Sequence, residues 1–131
     1  MKVYLIHHAL THTAEEDPER HLTEAGRAQA DRLGARFTAA GIAPVRILHS
    51  DKQWPMETAE RIAAVMGLSD RTAVAGYPIN TGDPVAPFLA EIAASDGDIM
   101  MAGHVDYLIR TASALVCGDE SIPVVAFKPD F

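Results

Sequence analysis

Two short apolar runs that each end in histidine constrain this chain more than any other feature. Val3-Tyr4-Leu5-Ile6 runs into His7-His8, and Ile99-Met100-Met101-Ala102 runs into Gly103-His104. Apolar runs of this length, bounded by polar or glycine positions, are strands buried on both faces, as in a parallel sheet with helices on either side. In such sheets functional groups gather beyond the carboxyl ends of the strands. Each imidazole alone is compatible with a local cap at a strand end. Two equivalent placements predict one shared site.

The intervening chain alternates strand and helix patterns. Polar residues 9 to 21, with Pro18, form a loop. Thr23 is an N-cap with Glu24 in the first turn, and Ala30, Leu33, Phe37 and Ala40 recur at helical spacing before Gly41. Val45 to Leu48 is a second strand, a helix carrying Ala59, Ile62, Val65 and Met66 ends at Gly67, and Thr72 to Ala75 is a third strand. Asp83-Pro84 predicts a helix start, Asp as N-cap and Pro at the first position, with Val85, Phe88, Leu89 and Ile92 on one face. After the strand ending at His104, a helix spans about Asp106 to Val116, and Ile122 to Phe127, containing Pro123, supplies a final edge strand. The expected class is α/β, a single-domain three-layer α/β/α sandwich over residues 1–131 with a mostly parallel sheet.

Composition narrows the function. A chain of 131 residues, 48% of them apolar, can bury a core without staples. The lone Cys117 reads as a small hydrophobe at a helix end, and one cysteine suits a reducing cytoplasm. No window suggests a membrane span, and the apolar start is too short for a signal peptide, so a soluble cytoplasmic protein is expected. Eighteen acidic against 11 basic residues give a formal charge of −7, which disfavours nucleic acid and anionic membranes as partners. Oligomeric state is not legible at this level.

Several segments resemble the histidine phosphatase superfamily, phosphoglycerate mutase-like proteins, and within it the short bacterial phosphohistidine phosphatases. They are His8-Ala9 after the first strand, Pro18-Glu19-Arg20-His21-Leu22-Thr23-Glu24-Ala25-Gly26, Ile47-Leu48-His49-Ser50 leading to Glu57-Thr58-Ala59-Glu60, and Ala102-Gly103-His104. The resemblance implies that His8 is the nucleophile, forming a phosphohistidine that water hydrolyses, with His104 beside it. No cofactor is implied, and the expected partner is a phosphorylated small molecule or a phosphoprotein. The chemistry itself asks for an in-line nucleophile, fixed cationic donors around the phosphoryl oxygens and an acid for the leaving group.

The chain departs from the family where that charge is supplied. The resemblance implies arginines at positions 7 and 54, where His7 and Trp54 stand, with Pro55 after the latter. Losing two charge-assisted hydrogen bonds at about 1.5–3 kcal/mol each corresponds to about two to four orders of magnitude in rate. A weakened or lost phosphatase is therefore expected. Ser50, Lys52, His7 and Trp54 are the candidate ligand contacts, and Lys52 and protonated His7 are the candidate substitute cations. Strand alternation sends His7 and His8 to opposite faces unless the strand bends. If His7 is the cation, phosphate affinity rises as pH falls through about 6.5, and turnover is bell-shaped.

His12, His21 and His49 admit a histidine-lined metal site, though their spacing matches no compact motif and surface or packing roles are expected. Asp83 and Asp106 read as helix caps before acids. Besides hydrolysis through His8, two readings stay open: a non-catalytic module binding a phospho-ligand or protein, and that metal site.

Overall fold

In the computed structural model, which describes residues 1–127, the strands form where the apolar runs predict. β1 (Val3–His7), β2 (Arg46–His49), β3 (Thr72–Val74) and β4 (Ile99–Gly103) build a sheet in the order β1-β4-β2-β3, with every pairing parallel. Alternate side chains of each strand enter opposite layers. Ile47 and Met100 face α1 (Glu24–Ala39) and α2 (Gln53–Met66), whereas Leu48 and Met101 face α3 (Ala86–Ala94) and α4 (Val105–Cys117). The result is the expected three-layer sandwich, and Ile47, Ile99, Met100 and Met101 are fully buried at its centre. No helix of the described residues is long and apolar enough to cross a membrane.

The helix ends follow local chemistry. Thr23 caps α1, its Oγ1 accepting from the Gly26 N–H at 2.9 Å, and Gly67 closes α2 in the left-handed region at φ 74°. Gly26 has a second role. A Cβ there would lie 2.1 Å from the Leu10 carbonyl oxygen, so only glycine lets the loop after β1 cross the first turn of α1.

Two expectations are corrected. α3 starts at Ala86, with Val85 as N-cap and the proline of its first turn at Pro87. Asp83 does not cap it, because its carboxylate accepts from the Asn80 N–H at 2.8 Å and closes a turn instead. Nor do Ile122 to Phe127 form a strand; they are irregular. Ile122, Val124 and Val125 are each at least 40% exposed, so burial on a sheet face does not offset the ordering cost, and Pro123 has no N–H for a ladder.

Candidate active site

Because the strands run in one direction, His8, Ser50 and His104 all follow carboxyl ends on the same edge of the sheet. His7 is in register with Gly103, so the residues after them, His8 and His104, leave neighbouring strands at the same level. Ser50 follows β2, the other neighbour of β4.

The Trp54 indole, in the first turn of α2, stands edge-on to both imidazoles, its centroid 6.3 Å from His8 and 5.9 Å from His104. His104 Nε2 and Ser50 Oγ share a hydrogen bond at 3.2 Å, and Ser50 Oγ also accepts from the Lys52 N–H at 3.3 Å. His8 Nδ1 lies 3.0 Å from the Ala9 carbonyl oxygen. A carbonyl only accepts, so Nδ1 carries the proton and Nε2 of neutral His8 keeps its lone pair.

The segment after His8 is pinned from two helices. Ala9 N–H donates to Thr58 Oγ1 at 3.1 Å, and Leu10 N–H donates to Gln29 Oε1 at 3.1 Å. Thr58 Oγ1 in turn donates to the Trp54 carbonyl at 2.7 Å, coupling the nucleophile segment to the first turn of α2.

Arg20 is the functional candidate that sequence reasoning missed. Its guanidinium carbon lies 4.8 Å over the Trp54 ring. Nε donates to the His12 carbonyl at 3.3 Å and Nη2 to Thr11 Oγ1 at 2.9 Å. Arg20 is also the only described non-glycine residue at positive φ, 55°. Such a conformation costs about 1–3 kcal/mol and tends to persist where function requires it. The loop folds back through a Thr11–Leu22 bridge, which returns Arg20 to the site. The only signal in the sequence was an arginine inside the family-like segment; nothing local states where it ends up.

All three site histidines are shifted towards the neutral form. Burial lowers His8, opposed by its bond to the Ala9 carbonyl and reinforced by the Arg20 charge. Burial also lowers His104, with His8, Lys52 and Arg20 adding to it and Asp51 opposing. His7 is depressed furthest, to about 4, by burial and then by His8 and His104. Without a bound anion this counts against His7 as the substitute cation near pH 6.5, because burial and a second imidazole 4.5 Å away favour its neutral form. Strand alternation did not keep His7 remote from His8 either.

Of the predicted contacts, the structure brings His8, His104, Ser50 and Trp54 together, and adds His7 beside His8. Lys52 is exposed and acts on His104 through charge. Of the other histidines, His21 pairs with Asp17 at 2.6 Å, and His49 Nδ1 donates to the Ser50 carbonyl at 2.8 Å. Among the described residues no three His, Cys, Asp or Glu side chains converge where they could hold a metal ion. Asp106 sits in the first turn of α4, pairs with Arg110 at 2.9 Å and accepts from the Gly82 N–H at 3.1 Å.

Known proteins share the fold. The family model of the histidine phosphatase superfamily, branch 1, matches residues 3–74. A solved structure of the protein histidine phosphatase SixA in complex with tungstate superposes with a TM-score of 0.83 at 17% identity, over 98% of this chain and 83% of that one. A structure named as the phosphohistidine phosphatase SixA of Agrobacterium tumefaciens gives a TM-score of 0.72 at 24% identity, over 87% of this chain and 75% of that one. A phosphoglycerate mutase of Bacillus anthracis gives 0.61 at 14% identity, over 88% and 79%. No curated protein sequence matches the chain.

Proposed function

Because the chain belongs to the histidine phosphatase superfamily, we propose that its site transfers a phosphoryl group to His8 and hydrolyses it slowly, with Arg20 standing in for the arginines absent from positions 7 and 54. The observation that carries this reading is the gathering of His8, His104 and Arg20 around one indole.

In the first step the lone pair on His8 Nε2 attacks phosphorus, and the bond to the leaving group breaks in line. The leaving group departs with that electron pair and takes a proton from water. In the second step water attacks the phosphorus, the P–N bond breaks, and orthophosphate leaves neutral His8 behind. The N–H groups of Arg20 not used inside its loop are the cationic donors for the phosphoryl oxygens, and His104, held by Ser50, is a further donor. One guanidinium in place of two leaves a deficit of one charge-assisted hydrogen bond, about one to two orders of magnitude in rate. The substrate class is a phosphorylated small molecule or a phosphoprotein. Phosphohistidine is the specific protein substrate proposed, on the likeness to the two SixA structures.

A second reading, a module that binds a phospho-ligand without turnover, is favoured by one observation. His7 and Trp54 stand where the family resemblance implies arginines, so an anion can be held through Arg20 while the transition state lacks the remaining donors.

Incubation with phosphoramidate followed by intact mass measurement separates the two. Wild type should gain one acid-labile phosphoryl group and His8→Asn should gain none. Equal labelling of both proteins would overturn the assignment of His8, and absence of label with retained tungstate binding would select the module.

A further inference from the structure

A cavity of about 420 Å³ lies between α1 and β1, the end strand of the sheet, and shares His7 in its wall with the phosphoryl site. Its floor is apolar: Ile6, Ala9, Ala30 and Leu33. Arg32 and Arg36, one helical turn apart on α1, line the same cavity.

These two arginines differ from the rest. Arg27, Arg46, Arg61 and Arg110 pair with carboxylates, Arg71 donates to the Pro44 carbonyl, and Arg20 is bonded within its loop. Among the described residues Arg32 and Arg36 form neither an ion pair nor a side-chain hydrogen bond, in a chain of formal charge −7. Like charges one turn apart on a helix repel. Position in the last turn of α1 favours a cation at Arg36 through the helix dipole, but Arg32 lies too far from that end to gain from it.

We propose that this cavity is a binding site for a small organic anion with an apolar body, a carboxylate-bearing aliphatic chain, whose head group bridges Arg32 and Arg36. The volume falls in the range of small-molecule sites, and an apolar floor with a few convergent polar groups is their usual construction. A guanidinium pair takes a carboxylate through paired N–H bonds.

The cavity also reaches the pins of the nucleophile segment. Thr58 and Gln29, which hold the Ala9 and Leu10 amides, are both in its wall. Occupancy therefore bears on the segment that follows His8, and the Thr58 bond to the Trp54 carbonyl carries the effect to the single tryptophan of the chain.

Calorimetric titration at pH 7.5 with hexanoate, and with hexan-1-ol as its neutral counterpart, tests the site, alongside amide NMR. Hexanoate should bind at least about tenfold more tightly than hexan-1-ol, and Arg32→Gln/Arg36→Gln should weaken hexanoate by about tenfold or more with unchanged thermal stability. The amides of Ala9 and Leu10 should shift, and saturating tungstate should not compete. Equal binding of the two probes, undiminished hexanoate binding by the double variant, or absence of hexanoate binding at millimolar concentration would overturn the proposal. Competition by tungstate, with shifts centred on His8 and Arg20, would assign the anion to the phosphoryl site and equally overturn it. None of these readouts depends on turnover.

Discussion

Substituting His7 with glutamine should flatten the acid side of the stability profile. The folded chain depresses the His7 pKa from 6.5 to about 4, chiefly by burial and then by the charges of His8 and His104. The unfolded chain therefore takes up this proton first. His7 contributes stability that is fully present above about pH 6.5 and is lost progressively as pH falls towards 4. The full shift corresponds to about 3 kcal/mol, but the imidazole is only half-buried and solvent screening reduces it. Between pH 7 and pH 5 wild type should lose about 1–2 kcal/mol more than His7→Gln, whose side chain does not titrate. Urea denaturation followed by Trp54 fluorescence at the two pH values measures this, and comparing the two proteins cancels the contributions of His8, His104 and the carboxylates. Parallel losses would refute the reasoning, because they would mean that His7 is not held neutral by its surroundings.

The remaining expectations concern the site and its supports. Arg20→Ala should weaken tungstate binding by about tenfold or more and change Trp54 fluorescence, with Arg20→Lys recovering part of the affinity; unchanged binding by Arg20→Ala would remove it from the site. Restoring both missing charges, His7→Arg with Trp54→Arg, should raise phosphoramidate hydrolysis by about one to two orders of magnitude; a rate at or below that of wild type would show that more than charge is missing. Since His8 must be unprotonated to attack and its pKa is lowered, labelling of His8 should hold level as pH drops through 6.5 and fall only at more acid values. A decline centred on 6.5 would contradict the burial of His8. Gly26→Ala should cost about 2 kcal/mol or more in chemical denaturation, although glycine to alanine inside a helix usually stabilises, because the new Cβ meets the Leu10 carbonyl; a gain in stability would show that the crossing can relax.

Local pattern carried most of the architecture. The apolar runs of β1 and β4 are long enough, and uniform enough, to specify strands buried on both faces, and parallel strands carry His8 and His104 to one edge. Thr23, Gly41 and Gly67 marked helix ends because caps are satisfied within a few residues. Prediction failed where a different partner took a residue or where the burial that a pattern implies was not supplied. Asp83 has the chemistry of a cap, yet the Asn80 amide takes its carboxylate, and the helix starts later. Ile122 to Phe127 have the composition of a strand, but their exposure leaves too little burial to stabilise one. The charge of the site was decided by tertiary structure alone. His7 is an ordinary imidazole in the sequence, and its burial beside two others keeps it neutral to more acid pH. Arg20 is an ordinary loop arginine until a bridge fourteen residues after His8, at Leu22, folds it back over Trp54. A side chain's type is set by its codon, but its charge state and its partners are set by which distant segments the fold packs against it.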